Sequence, residues 1–305
     1  MYNNDNTWRE MQSFLPVENR LTSKNMPDEY YYKIDNINLH IDHYRTDKPK
    51  ATIVIFHGVG GNGRLLSFIA VPLSQQGYEV ICPDLPLYGY TKYNGEISYQ
   101  TWVDCGTEIV SHFRKNNIPL FVFGLSAGGM LAYQVACRCC KLNGIIATCL
   151  LDQRIPLVTQ KTAISPLVAK LSKPFLKLLN QPLAKVKLPM KAVSNMKAIV
   201  NNRELAKLLM ADNRSSGTKV SIAFLYTMLN PQIEIEANQF HKCPLLLVHP
   251  ENDRWTDISL SRLFFNKLSC KKELIMLDGA GHFPIETEGC KNLEIACIRF
   301  IEKYS

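Results

Sequence analysis

One serine stands in a pattern that favours nucleophilic chemistry. The turn Gly124-Leu125-Ser126-Ala127-Gly128 follows an apolar run at 120–123 and precedes a helical pattern. Such a strand, turn and helix project a serine hydroxyl above a sheet, and they need small residues on both sides because the two backbones pass close together. A bare G-x-S-x-G also arises by chance. Its flanking strand and helix therefore carry the prediction that Ser126 is a nucleophile.

A serine alcohol needs a base to remove its proton. Of the seven histidines, His282 lies in the glycine-rich loop Asp278–Pro284 after the last predicted strand. That loop lies at the carboxyl edge of the predicted sheet, where Ser126 also emerges. We predict that His282 is the base; the alternative is an ordinary surface histidine. The other histidines fall in predicted strands, on a helix face or beside a strand: His40, His43, His57, His112, His241 and His249.

The base needs a carboxylate that holds its tautomer. Asp253 follows a predicted buried strand at the same edge of the sheet, and we favour it. Asp152 is the alternative acid because it also follows a strand, and Glu251 is a weaker third choice.

A tetrahedral intermediate needs hydrogen-bond donors that are already in place. The backbone N–H of Ala127 is one candidate, and that of Val59, in the glycine-rich segment His57–Gly63, is the other. The segment lacks the Lys-Ser/Thr pair of a phosphate-binding loop and the spacing of a dinucleotide site.

Short apolar runs alternate with helical patterns, which predicts an α/β fold with a mostly parallel sheet. Alternating polar and apolar residues at 30–34 and 38–44 predict two edge strands. Buried strands are predicted at 51–56, 78–82, 120–123, 144–151, 244–248 and 273–277, and helices at about 64–76, 98–115, 127–141, 257–268 and 288–303.

The alternation breaks once, over about ninety residues with helical character. A loop of that length without its own structure would be unusual. We therefore predict an inserted helical cap at 154–240, a core formed by 30–153 and 241–305, and an N-terminal extension at 1–29. Pro174, Pro182 and Pro189 should divide the cap into short pieces, and Asn213–Gly217 is its clearest turn.

The composition is that of a globular protein, with 46% hydrophobic and 20% charged residues in 305. The polar N-terminus lacks the apolar stretch of a secretory signal, and several of the ten cysteines lie in apolar stretches, so we expect a cytoplasmic protein with free thiols. No apolar run reaches the ~20 residues of a membrane span.

These motifs together resemble the α/β-hydrolase superfamily. The resemblance covers about residues 30–305 apart from the cap, and it includes His57-Gly58-Val59-Gly60, Pro83-Asp84-Leu85-Pro86 and the order Ser126, Asp253, His282. The chain is most similar to capped lysophospholipases and monoacylglycerol-lipase-like serine hydrolases. The resemblance implies an eight-stranded sheet, a covalent acyl-enzyme, no metal or cofactor, and a structural role for Asp84.

The expected function is hydrolysis of carboxylic esters, with medium or long acyl chains favoured. Hydrolysis of a peptide or carbon–carbon bond, acyl transfer to an alcohol, and a non-catalytic receptor on the same fold remain alternatives.

The net charge of +8 comes from the cap. Of the 35 Lys and Arg, 12 lie between residues 155 and 240, against 4 of the 27 Asp and Glu. The segment Leu171–Leu179 mixes lysines with bulky apolar residues. Three explanations stay open: an ordinary solvated face, contact with an anionic membrane, or attraction of acidic substrates. Nucleic acid is not expected because no recognition motif accompanies the charge.

Overall fold

A mostly parallel β-sheet flanked by helices forms the centre of the computed structural model, which describes residues 1–165, 170, 176 and 183–305. The strands of the described residues are β1 (Asp28–Ile34), β2 (Ile37–Tyr44), β3 (Thr52–Phe56), β4 (Glu79–Pro83), β5 (Lys92–Tyr93), β6 (Leu120–Gly124), β7 (Gly144–Ala147), β8 (Lys187–Pro189), β9 (Lys219–Ser221), β10 (Leu245–Pro250) and β11 (Lys272–Leu277). Eight of them lie in the order β1-β2-β4-β3-β6-β7-β10-β11, and the two-residue β5 pairs with β2. The pairs β1–β2 and β2–β4 are antiparallel, while the pairs from β4 to β11 are parallel.

The helices follow the predicted alternation. The α-helices whose bounds lie within the described residues are α1 (Asn6–Gln12), α2 (Ser67–Gln75), α3 (Tyr99–His112), α4 (Ala127–Arg138), α5 (Pro156–Thr162), α6 (Met190–Val193), α7 (Arg203–Ala211), α8 (Ile222–Leu229), α9 (Ile258–Phe265) and α10 (Thr287–Tyr304). The α3 and α4 helices pack together, as do α2 and α10. None of the helices among the described residues is both long and apolar enough to cross a bilayer.

The apolar runs predicted as buried strands form the core. Every residue of β3, β4, β6, β7 and β10 is buried, because parallel strands are covered on both faces. The run predicted at 144–151 leaves the sheet after Ala147. Beyond it, the Thr148 amide still donates to the Gly124 carbonyl of β6, while the Thr148 hydroxyl accepts a hydrogen bond from the Ser126 amide. The Leu150 amide donates to the Ser261 hydroxyl of α9, so the regular strand pairing ends here.

The described part of the segment between β7 and β10 contains strands as well as the predicted helices. It contains α5, α6, α7 and α8, but β8 and β9 also pair as a small antiparallel sheet. Pro189 ends β8, and α6 begins at the next residue, so this proline does not interrupt a helix. Asn213–Gly217 forms the expected turn. Pro174, Pro182 and most of the mixed segment Leu171–Leu179 lie outside the described residues.

The first residues of the chain pack on the core although no sequence pattern indicated it. Trp8 and Met11 of α1 are buried, and the Tyr2 hydroxyl donates to the Asp84 carboxylate at 3.0 Å. Asp84 also accepts hydrogen bonds from the amides of Gly63 (2.6 Å) and Tyr90 (2.8 Å), in keeping with the structural role that the resemblance implies.

A buried group of charges lies beneath this segment. The His40 ring forms an ion pair with Asp84 at 2.8 Å, and Arg64 forms one with Asp42. Burial alone would lower the pKa of His40, but the Asp84 carboxylate and its acidic neighbours raise it to about 9. The ring is therefore charged at neutral pH.

Candidate active site

The turn that carries Ser126 is strained in the way the sequence pattern predicts. Ser126 has φ 57° and ψ −123°, which is rare for a residue with a side chain. A Cβ on Gly124 would collide with the backbone of Gly128, and a Cβ on Gly128 would collide with the carbonyl oxygen of Phe56. Only glycine therefore fits at both positions, and the close packing directs the serine hydroxyl away from the sheet.

Three of the predicted residues come together at the carboxyl edge of the sheet. His282 Nε2 lies 2.7 Å from Ser126 Oγ, and His282 Nδ1 lies 2.7 Å from Asp253 Oδ2. Ser126 follows β6, Asp253 follows β10 and His282 follows β11, so the parallel strands bring residues distant in sequence to one edge. All three side chains are buried.

The Asp253 carboxylate is fixed by four hydrogen bonds. Its Oδ1 accepts from the backbone amides of Trp255 and Thr256 at 2.8 Å each, and its Oδ2 accepts from the Thr256 hydroxyl and from His282 at 2.7 Å each. Burial raises the pKa of this carboxyl, but the His282 ring and the Thr256 donors outweigh it and hold the pKa at about 2. The group is therefore ionised at neutral pH, as an acceptor for an imidazole N–H must be.

The alternative acids lie elsewhere. Both oxygens of Asp152 are bound by the Arg154 side chain at 2.9 to 3.2 Å. Glu251 accepts from the Gly279 amide at 3.3 Å. Neither carboxylate forms a hydrogen bond with His282 in the part of the chain that the structure describes.

The predicted donors to an oxyanion belong to two segments that both line the cavity beside Ser126. A Cβ on Gly58 would lie 3.1 Å from the amide nitrogen of Ala127, so Val59, the next residue, is close to that nitrogen. Within the described residues, the N–H groups of Val59 and Ala127 donate no hydrogen bond. Two free amides beside the serine are therefore available to a developing negative charge.

His57 holds the glycine-rich segment His57–Gly63 in place by two hydrogen bonds. The sequence pattern did not indicate this role. Its Nδ1–H donates to the Gly58 carbonyl at 2.7 Å, and its Nε2 accepts from the Leu85 amide at 2.9 Å. Burial lowers the pKa of His57 to about 4, so the ring is neutral and can hold both bonds at once.

A second anchor comes from the turn Asn213–Gly217. The buried Ser216 hydroxyl donates to the Gly60 carbonyl at 2.9 Å. Gly60 has φ +80°, and a Cβ there would collide with Met196 and approach Ser216 to 2.8 Å. The sequence marked the turn, but nothing in it indicated a contact across 156 residues.

Trp255 contacts both His282 and the segment between β7 and β10. Its ring packs against the His282 ring with centroids 4.8 Å apart, and its indole N–H donates to the Thr162 carbonyl of α5 at 3.3 Å.

A cavity of about 530 Å³ opens beside Ser126, within the usual range for small-molecule sites. Its described walls are mainly apolar and come largely from α4 and from the segment between β7 and β10, with Met130, Leu176, Leu188, Leu225 and Met228 among them.

Two groups of side chains have a composition that metals favour, but their donors already have partners. Arg64 binds Asp42 in the group Glu29, His40 and Asp42. In the group Cys149, Asp253 and His282, the last two bind each other and Thr256.

Known proteins resemble the chain in sequence and in fold. A family model described as "Serine aminopeptidase, S33" matches residues 47–288. Phospholipase YtpA of Bacillus subtilis (strain 168) is 27% identical over 234 residues, which cover 73% of this chain and 83% of that protein.

Two solved structures share the fold. A soluble variant of monoglyceride lipase from Saccharomyces cerevisiae, in complex with a substrate analog, has a TM-score of 0.75 and 19% identity, covering 95% of this chain and 99% of its own. The monoacylglycerol lipase of Paleococcus ferrophilus has a TM-score of 0.68 and 22% identity, covering 88% and 100%.

Proposed function

The chain belongs to the serine aminopeptidase S33 family of α/β-hydrolases, and from that premise we propose that it cleaves carboxylic esters with a medium or long acyl chain through an acyl-serine intermediate. The observation that carries the proposal is the unbroken hydrogen-bond path from Asp253 through His282 to Ser126, at 2.7 Å for each step, beside an apolar cavity.

Each residue has a step in this reaction. His282 Nε2 takes the proton of Ser126 Oγ as that oxygen attacks the ester carbonyl, and Asp253 stabilises the imidazolium that forms. The amides of Val59 and Ala127 donate to the oxyanion of the tetrahedral intermediate. His282 then gives its proton to the leaving alcohol, and an acyl-serine remains. A water molecule, deprotonated by His282, then attacks the acyl-serine. His282 returns the proton to Ser126 Oγ, and the carboxylic acid is released.

The cavity favours an ester over a peptide with a free amino end. A buried ammonium group needs a carboxylate that is not already paired. Asp152 is the only carboxylate among the described residues that line the cavity, and Arg154 binds both of its oxygens. The walls suit an alkyl chain, and the named relatives, a phospholipase and two monoacylglycerol lipases, act on lipids according to their names.

The test is hydrolysis of p-nitrophenyl esters from acetate to palmitate, with Ser126→Ala as the control. We expect the highest kcat/KM at a medium or long chain and loss of activity in the variant. Equal rates for the variant and the parent would overturn the assignment of Ser126, and a maximum at acetate would overturn the preference for long chains. Product analysis with an added alcohol separates hydrolysis from acyl transfer.

We also propose that residues 154–240 form a cap over a core of 30–153 and 241–305, and that the cap contacts anionic membranes. Large exposed apolar side chains are interspersed there with exposed lysines, a combination typical of membrane-surface binding. The apolar side chains are Leu157, Ile164, Leu183 and Val186, each between 42% and 46% exposed, and the lysines include Lys161, Lys185, Lys187 and Lys191.

Vesicle flotation tests the membrane contact. We expect the protein to float with phosphatidylserine-containing vesicles more than with phosphatidylcholine vesicles, and Val186→Glu to reduce binding several-fold. Ile295→Glu is the matched control because Ile295 is 46% exposed on α10, outside the cap. An equal loss in both variants, or equal binding to both kinds of vesicle, would overturn this proposal.

The protein's location in the cytoplasm is likewise a proposal, supported by ten cysteines that are all free thiols.

A further inference from the structure

One wall of the cavity has a polar pair among its apolar residues. Gln134 Nε2 lies 3.1 Å from the Tyr99 hydroxyl oxygen, and both residues line the cavity. Gln134 is 3% and Tyr99 5% exposed, so both residues are buried.

This pair retains hydrogen-bonding capacity that the protein does not use. A glutamine amide has two N–H donors and a carbonyl, and a tyrosine hydroxyl is both donor and acceptor. The bond between Gln134 and Tyr99 is the only one that either side chain forms with the described part of the chain. The unused donors and acceptors of the pair are therefore available to a ligand or water in the cavity that both residues line.

The position of the pair relative to Ser126 follows from the geometry of α4. Ala127, Met130 and Gln134 all line the cavity, which places it along one face of this helix. Gln134 is eight residues beyond Ser126, so its Cα lies roughly 12 Å farther along the helix axis. An extended alkyl chain advances roughly 1.3 Å per carbon, so roughly nine carbons span this distance.

The acyl chain, and not the leaving alcohol, should point toward this pair. His282 must reach the leaving oxygen to protonate it, so the alcohol departs on the side of His282. His282 follows β11, on the β7–β10–β11 side of Ser126. Tyr99 begins α3, which contacts β3 on the opposite side. The acyl chain then runs along α4 toward Gln134.

The charged residues near Tyr99 and Gln134 favour a ligand group without charge. Asp152 and Glu236 are both bound by the Arg154 side chain, so this group of three has one cation for two anions. The described residues that line the cavity include no Lys, Arg or His to pair with a carboxylate on the ligand, and Asp152 would repel it. Burial raises the pKa of the Tyr99 hydroxyl, and Asp152 adds to the shift, so the hydroxyl keeps its proton and can donate.

We infer that Tyr99 and Gln134 form a subsite for a neutral oxygen function, a hydroxyl or oxo group, on the acyl chain roughly nine carbons from the scissile carbonyl. The inference rests on the proposed ester hydrolysis and names a substrate class within it: esters of oxygenated fatty acids. Two hydrogen bonds to the oxygen function replace the unsatisfied capacity of the pair.

The experiment compares kcat/KM for p-nitrophenyl decanoate and p-nitrophenyl 10-hydroxydecanoate. We expect the wild-type protein to prefer the hydroxylated ester about tenfold, as for two neutral hydrogen bonds of ordinary net strength. Gln134→Met and Tyr99→Phe should each reduce this ratio to about twofold or less, because each keeps the side-chain volume and removes polar capacity. Since the ratio is taken within one protein, a general loss of activity does not change it, and circular dichroism verifies the fold of each variant.

Met130→Leu is the matched control because Met130 lies one turn before Gln134 on the same wall, and its ratio should equal that of the wild type. A wild-type ratio near one, or a fall in the control equal to that in the variants, would overturn the subsite while leaving ester hydrolysis intact. Absence of hydrolysis of every p-nitrophenyl ester would instead overturn the proposed function.

Discussion

Replacing Asp253 by asparagine tests the site most sharply because the structure dictates how the new amide must sit. Asp253 Oδ1 accepts two backbone N–H groups, from Trp255 and Thr256. An NH₂ group cannot take that position, so the oxygen of the introduced amide must. The amide nitrogen then takes the position of Oδ2, 2.7 Å from His282 Nδ1, and donates to it.

This orientation puts the histidine in the wrong tautomer. With Nδ1 accepting, the ring proton moves to Nε2, which can no longer take the proton of Ser126. Loss of this function in a serine–histidine–aspartate site costs about 10⁴-fold in kcat, or about 5 kcal/mol of transition-state stabilisation. We therefore expect kcat/KM of Asp253→Asn for a p-nitrophenyl ester to fall by about four orders of magnitude at neutral pH.

Asp152→Asn is the matched control. Asp152 also follows a strand at this edge of the sheet and lines the cavity, but its oxygens are bound by Arg154. We expect its kcat/KM to stay within about tenfold of the wild-type value, since it loses only a partly exposed ion pair. A fall of less than about tenfold in Asp253→Asn, or a fall near 10⁴-fold in Asp152→Asn, would refute the assignment of the acid.

Three further predictions concern the elements that hold the site. Ser216→Ala should lower kcat about tenfold with a smaller change in KM, because the Gly60 carbonyl, next to the proposed oxyanion donor Val59, loses its hydrogen bond. Ser215→Ala is the control because, among the described residues, its hydroxyl bonds only to Leu209 and Asp212; equal effects in both variants would contradict the prediction. Gly128→Ala should lower the free energy of unfolding by about 2 kcal/mol or more, since its Cβ collides with a carbonyl oxygen of β3, and an unchanged urea midpoint would refute this. The pKa of His40 is about 9 in the folded protein because burial, which lowers it, is outweighed by nearby carboxylates. The charged His40 ring therefore stabilises the folded state fully below the unfolded pKa near 6.5, and this contribution is lost as pH rises through 9. We expect the free energy of unfolding to fall by on the order of 3 kcal/mol over this range, and a value independent of pH would contradict the prediction.

The fold follows from local patterns to a large degree. Continuous apolar runs predict the buried strands because parallel strands are covered on both faces, and the observed bounds of β3, β4, β6, β10 and β11 differ from the predicted ones by one or two residues. The small sheet β8–β9 was missed, because its strands are three residues long and no periodicity can mark so short an element.

The Ser126 turn could be predicted from the sequence because the features that define it are local. They are a five-residue motif with two glycines, the strand that precedes it and the helix that follows it. His282 was found because its loop follows the last strand. The roles of both residues stay predictions that the variants above test. The tertiary structure alone decided which side chains have a partner. Asp253 and Asp152 look alike in sequence, yet one faces His282 and the other is bound by Arg154.

The same holds for Ser216, which reaches Gly60 across 156 residues, and for the pair of Tyr99 and Gln134 inside the cavity. Local spacing determines backbone geometry because steric restrictions act over a few residues. Hydrogen-bond partners and burial depend on which segments meet in space. The sequence therefore predicted which residues attack the bond. In our proposal, the packing of the segment between β7 and β10 against α3 and α4 determines which acyl chain can reach Ser126.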